Sequence, residues 1–393
     1  MQTSIKEQNS IKSGFLLILL LGIALYLISQ ACLASPIIIA GNKIINTPTM
    51  YNNVELDMTN GRFTITAGGS LTIENAVINV AISPSNPYFV SMNNDSLSLK
   101  NNTIHVTSSG ITPNPNVKSL NELIDVQQGK VEIVGNTVQI DNAFTVGFLT
   151  TQNLTTDGFI INNNTIKNFH GGVYLVHSNN AHVNDNTFEN VSFANIYNLG
   201  NLNKFKRNIF SFPGNLMFGD AIDVVSSDSV TISDNIIASD AGYGISIMGG
   251  QNIFIDNNKI TDGSSYAIFI HAPALSSLKS HKYLSQLVGK EKITGAGNTN
   301  IVITNNYLAQ NRYGLAGKMI DKLIVTNNTF IQRFTDSSIR QFWTNNDILL
   351  PSATNLTWSN NIYKEAFTQE VPGDNKSALR FVVFPEHGGV FLP

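Results

Sequence analysis

The 393-residue chain has a single cysteine, Cys32, which excludes an internal disulfide framework and a cluster of thiolate metal ligands. Charge is almost as scarce. Lys, Arg, Asp and Glu together make 13% of the residues, against roughly 25% in an ordinary soluble domain. The net charge of −3 argues against a nucleic-acid binder, which needs a basic face. Long apolar runs are missing beyond residue 28, so nothing further along reads as a membrane-spanning helix. The chain is nonetheless not poor in core formers, with 42% hydrophobic residues, 22 Phe and 11 Tyr, which excludes a disordered polymer. The polar half of the pattern is asparagine: 51 of them, about one residue in eight.

Residues 1–34 read as an address. Lys6 and Lys12 precede a 14-residue apolar run, Phe15–Ile28, which is a signal-peptide core in length and short of the roughly 20 residues that span a bilayer. Small residues follow, and cleavage after Ala34 is expected. Lipidation of Cys32 and retention as an uncleaved anchor are the alternatives, and they are the two ways this chain would touch a membrane. Each implies export to the periplasm, the cell envelope or the medium.

One repeat runs through most of the rest. Asparagine followed two residues later by a large apolar residue recurs at Asn75, Asn102, Asn136, Asn164, Asn186, Asn208, Asn235, Asn258, Asn306, Asn328 and Asn361. The intervals are 27, 34, 28, 22, 22, 27, 23, 48, 22 and 33 residues. The 48 is either two units with a small insertion or one unit with a large one. Alternating stretches such as Val230-Thr-Ile-Ser-Asp234 lead into the asparagines, and alternation at period two means a strand with one buried face. A second short strand follows eight or nine residues later, as in Gly172-Val-Tyr-Leu175 and Gly244-Ile-Ser-Ile247. Short strands separated by corners, once per 22 residues or so, describe the rung of a parallel β-helix. An asparagine at the same corner of each rung can hydrogen-bond to its neighbour one strand spacing away, and it tolerates the left-handed backbone of a sharp turn. The acceptor pattern Asn-x-Thr at Asn101, Asn163 and Asn327 comes from the same corner and reads as structure.

These repeats resemble those of right-handed parallel β-helix proteins, the pectate-lyase-like superfamily, over about residues 60–363. Within it they are similar to the short repeat shared by polysaccharide lyases, uronan C5-epimerases and NosD-type periplasmic copper-site maturation proteins. The resemblance implies an all-β, single-stranded right-handed solenoid with capped ends. The expected layout is a cap at 35–60, the helix at 61–365 and a second cap at 366–393. An insertion at 272–298, with Leu284, Leu287 and Val288 on one helical face, is a candidate lid or groove wall.

Taking Ile222 and Val224 as inward makes Asp223 outward, and the same register turns out Tyr174, Tyr197, Ser246, Phe269 and Ala316. A parallel column holds Gly171, Asp220, Tyr243, Tyr266 and Tyr313, and His177, His271, Arg312 and Lys318 lie at the strand margins. Aromatics of this kind stack on sugars, carboxylates do acid–base or metal work, and cations neutralise uronate or sulfate. The expected substrate-binding residues are Tyr174, Tyr197, Tyr243, Tyr266, Phe269 and Tyr313. The expected catalytic groups are Asp220, Asp223, His271, Arg312 and Lys318. Asp220, Asp223 and Asp240 form a candidate Ca²⁺ site, the one cofactor suggested. Gly219-Asp-Ala-Ile-Asp-Val224 is faintly similar to polygalacturonase rungs. However, the Gly-His-Gly and Arg-Ile-Lys segments of those hydrolases are absent, and so is the Asp-Pro-His-Asp of alginate epimerases.

Two readings of function follow. One is an exported enzyme acting on an acidic polysaccharide by β-elimination or C5-epimerisation. The other is a non-catalytic β-helix, either a glycan-binding surface protein or a NosD-type periplasmic assembly factor.

Overall fold

The structure, a computed structural model, describes residues 35–111, 121–143, 145–151, 158–211, 220–238, 242–263, 266–271, 297–311, 313–317, 320–332, 348–349 and 353–365. The chain divides into two compact units, Met1–Ile37 and Ile38–Pro393, and only residues 35–37 of the first are described. The proposed signal segment, the helical part of the insertion (272–296) and the C-terminal cap at 366–393 lie outside the described residues.

From Ile38 onward the chain coils through three sheets in fixed order. Sheet A holds strands that follow the repeated asparagine, such as Thr165–Lys167, Thr187–Glu189, Ile209–Ser211 and Ile236–Ala238. Sheet B holds Gly171–Val176, Ala194–Leu199, Asp220–Val225, Ile245–Met248 and Tyr266–His271. Sheet C holds His182–Asn184, Lys204–Lys206, Thr231–Ser233 and Gln251–Asp256. Each strand pairs in parallel with the strand one turn earlier and one turn later, and sheet B stacks 12 strands among the described residues. This is a parallel β-helix. Residues 41–58, expected within a cap, already form a turn of the coil: Gly41–Ile45 pairs with Gly61–Ile65 and Pro48–Asn52 with Ser70–Glu74. The 48-residue interval is one turn with a large insertion, because Lys259 pairs directly with Tyr307.

Alternation along each strand sends one set of side chains inward, where like stacks on like. Ile166, Phe188, Phe210, Ile237, Ile260, Leu308 and Phe330 form one such interior line, all at 0 or 1% exposure. The rings of Phe188 and Phe210 lie 5.1 Å apart and 6° from parallel. Burial of this continuous apolar column is what holds successive turns together, since a single turn cannot bury its own inner face.

The corner between sheets C and A divides its labour between two residues. The first takes a left-handed backbone: Asn101, Asn163, Asp185, Arg207, Asp234, Asn257, Asn305 and Asn327 have φ between 54° and 60°, or 53° for Asn257. The second is the buried asparagine. Its backbone N–H and Nδ2 both donate to Oδ1 of the next asparagine, from Asn102 through Asn136, Asn164, Asn186, Asn208, Asn235, Asn258, Asn306 and Asn328 to Asn361. Nδ2 also reaches a strand carbonyl, as from Asn208 to Val183 at 2.8 Å. All amide donors and acceptors are thereby used, which a buried polar group requires. The left-handed role therefore falls on the residue before the stacked asparagine. The first repeat is also shifted by one, because Ala76, not Asn75, occupies the stacked place and donates its N–H to Asn102.

Candidate functional site

On sheet B the inward residues Ile222 and Val224 are fully buried in the core, and Asp223 between them projects from the other face. The register joins Asp125, Thr150, Tyr174, Tyr197, Asp223, Ser246, Phe269 and Ala316 into one outward column. Asp220 lies in a flanking column with Tyr243, whose backbone N–H donates to Asp220 Oδ1 at 2.9 Å. The next turn adds Tyr266, paired with Tyr313.

The column changes character along its length. Tyr174 and Tyr197 stack at 5.6 Å and point away from the coil, yet they are only 1% and 2% exposed. They belong to a second apolar cluster with Val176, Ala194, Leu199, Val225 and Met248, against which Phe193 packs. The expectation that these two rings form an open platform for sugars is therefore corrected: apolar neighbours on adjacent strands enclose them. Tyr243, Tyr266 and Phe269 are instead half-buried and form a compact trio. Their centroids are 4.6 Å apart for Tyr266–Phe269, 4.9 Å for Tyr243–Phe269 and 5.6 Å for Tyr243–Tyr266.

Asp220 and Asp223 adjoin that trio, and both are half-buried. Burial pushes Asp223 up to about 6, against a hydrogen bond from Ser246 that favours its charge. Burial, and then the neighbouring Asp223 charge, raise Asp220 well above the carboxylate range, with the Tyr243 amide opposing. Burial of both carboxyls, with the charge of one raising the other, favours the protonated form of Asp220 over that of Asp223. Asp223 Oδ1 and the Tyr197 hydroxyl are buried with no hydrogen-bond partner among the described residues. Burial also raises the Tyr243 hydroxyl, followed by the charge of Asp220, so it stays protonated.

Of the other expected groups, His271 ends the strand Tyr266–His271 opposite Met248, and its side chain, like that of Tyr313, lies outside the described residues. Arg312, Lys318 and Asp240 lie outside them entirely. The strand Asn121–Val126 carries a second pair that the sequence reasoning missed. Burial pushes Glu122 up to about 8 and raises Asp125. The signal was available, since Asp125 takes the register place of Asp223, but the 34-residue spacing from Asn102 to Asn136 hid that rung. His170, stacked on Phe193 at 5.8 Å with Ser192 at 3.0 Å from its Nδ1, was missed too, and burial pushes it down to about 4.

The family described as "Periplasmic copper-binding protein (NosD)" matches residues 127–347. The chain belongs to the NosD family. No curated protein matches it. Among solved structures, this NosD-family chain is similar to the A-module of a mannuronan C-5 epimerase from Azotobacter vinelandii (12% identity, TM-score 0.36, 84% of this chain and 92% of that one). It is also similar to a PL6 alginate lyase in complex with a trisaccharide (12%, 0.39, 82% and 80%). A mutant tailspike protein of E. coli bacteriophage HK620 in complex with a pentasaccharide is a third (13%, 0.37, 79% and 57%).

Copper sites are built from thiolate, thioether and imidazole donors, and Ca²⁺ sites from six to eight oxygens. Among the described residues no three His, Cys, Asp or Glu come together in a way that could hold a metal ion. Cys32 and Asp240 lie outside them. The described His, Cys, Asp and Glu thus assemble no copper or Ca²⁺ site, and Asp220 and Asp223 supply only two of the three expected Ca²⁺ ligands.

Proposed function

We propose that this NosD-family protein is exported to the periplasm or beyond and acts on an acidic polysaccharide at the outer face of sheet B, by β-elimination or C5-epimerisation. One observation carries the reading: two half-buried carboxyls on one strand, Asp220 and Asp223, beside the half-exposed trio of Tyr243, Tyr266 and Phe269, with the Tyr243 N–H on Asp220 Oδ1. The trio offers ring faces to a sugar. The protonated member of the pair donates a hydrogen bond to the uronate carboxylate and so neutralises it, as a carboxylic acid held neutral by an apolar site can. The ionised member, with Asp223 near 6, accepts the C5 proton. In elimination the C5–H electrons form the C4–C5 double bond, the bond from C4 to its glycosidic oxygen breaks, and the Tyr243 hydroxyl protonates that oxygen. In epimerisation a proton returns to C5 from the opposite face. His271, Arg312 and Lys318 follow these strands in sequence and are the candidate cations.

The test is formation of unsaturated uronate, or of the C5 epimer, from alginate, pectate and glycosaminoglycans. Asp223→Asn should abolish turnover while glycan binding persists. An unchanged rate removes Asp223 from the site. The family description favours a second reading, a non-catalytic periplasmic assembly factor. Absence of both products on every polymer, with the fold intact, selects it.

A further inference from the structure

Among the described residues, sheet C gathers three basic side chains, His182, Lys204 and Lys206, with no carboxylate paired to any of them. Three other cations do meet an anion on a neighbouring turn: Lys100 meets Glu132 at 2.9 Å, Lys167 meets Glu189 at 2.8 Å and Arg207 meets Asp185 at 2.6 Å. His182 pairs laterally with Lys204, and Lys206 sits two residues on, on the same outward face. Lys204 and Lys206, two residues apart on one face of the same strand, repel each other at a cost in stability. The acids around them are engaged elsewhere: Glu132 with Lys100, Asp185 with Arg207, and Asp256 with the Asn305 amide at 2.8 Å. Burial, then the charges of Lys204 and Lys206, hold His182 below its ordinary range.

The same line continues with side chains of a different kind. Lys204 pairs with Thr231, Thr231 with Phe254, and Lys206 with Ser233. Phe254 is 39% exposed, an aromatic surface with no core role. Cation, hydroxyl and exposed ring thus succeed one another along the coil axis at the spacing of paired strands, ~4.8 Å, which is close to the length of a pyranose unit.

We infer that this stretch of sheet C binds the anionic groups of an acidic polysaccharide laid along the coil axis, with Lys204 and Lys206 holding its carboxylates or sulfates and Phe254 beneath a sugar ring. The site lies on a different sheet from Asp220 and Asp223 and does not depend on any reaction there. An anionic membrane is the less suitable partner, because such surfaces are held by broad clusters of about four to eight Lys or Arg, whereas this line presents two lysines and a histidine.

The experiment titrates the intact protein with alginate and heparin oligosaccharides by calorimetry at low and physiological salt. Binding is expected to weaken as salt rises. Lys204→Gln with Lys206→Gln should lower affinity at least tenfold and flatten that salt dependence. Its thermal midpoint without ligand should equal or exceed that of the wild type, since a repulsion has been removed. The His182 proton resonances should report a higher pKa once the oligosaccharide is bound. Affinity unchanged in the double variant overturns the inference, as does equal binding of neutral dextran or a preference for phosphatidylglycerol vesicles. Asp223→Asn should leave this binding intact, so failure at sheet B and failure at sheet C are told apart.

Discussion

At the scale of single residues, the stacked amides are the costly positions. Removing the Asn208 side chain takes the acceptor from the Asn186 N–H and from one of its two Nδ2 hydrogens, and the Nδ2 donor from the Val183 carbonyl and from Asn235 Oδ1. Each such loss costs about 1–3 kcal/mol. Asn208→Ala should therefore destabilise by roughly 3 kcal/mol or more in urea unfolding, whereas Asn79→Ala, at a half-buried outward position with one long hydrogen bond to Glu55, should cost under about 1 kcal/mol. Ala76 ends the column, donating only its N–H to Asn102, so Ala76→Asn should extend the column and raise stability by about 1 kcal/mol. Asp223 makes a pH-dependent prediction. Its folded value of about 6 lies above the ordinary 3.8, so the neutral form is favoured in the fold. That stabilisation is complete below pH 3.8 and is lost as pH rises through 6. Asp223→Asn should then be more stable than wild type above pH 6, by roughly 1–3 kcal/mol, read as a higher melting temperature, with little difference near pH 3.5.

Single strands show why the site was only partly legible. The outward register of Tyr174, Tyr197 and Asp223 followed from alternation around Ile222 and Val224, a local property. Whether an outward ring meets solvent is not local. Val176, Leu199, Val225 and Met248 arrive from four different turns to enclose Tyr174 and Tyr197, and no single strand announces it. The strand Gly171–Val176 also depends on close approach. A Cβ on Gly172 would come within 2.1 Å of the Asn195 carbonyl oxygen one turn later. Gly172→Ala should force that strand pair apart and lower stability by about 1–3 kcal/mol, read as a shifted denaturation midpoint with separation of the Tyr174–Tyr197 stack.

For the whole molecule, a solenoid's stability is close to a sum over turns and their interfaces. Residues 186–207 form one 22-residue turn, so their deletion joins Asp185 to Asn208 and preserves the amide column in register. The shortened chain should fold cooperatively with a proportionately smaller denaturant slope. Removing half as many residues should abolish folding. Titration acts on the coil as a whole as well. Glu122, raised to about 8 from 4.5, loses stabilisation as pH rises through 8. His170, lowered to about 4 from 6.5, stabilises above pH 6.5 and loses that contribution as pH falls through 4. Thermal midpoints should accordingly decline on both sides of a mildly acidic optimum.

The sequence by itself determined the coil: a repeated asparagine, strands of period two and turns of about 22 residues leave a parallel β-helix as the way to bury one continuous apolar face. It also determined which residues share an outward column, since side-chain direction in a strand follows from counting. Only the tertiary structure decided which of those outward groups are open, which carboxylates hold a proton and which lysines lack an anion. These properties depend on how much solvent and charge the neighbouring turns place around a side chain, and those turns lie 22 residues or more away along the chain.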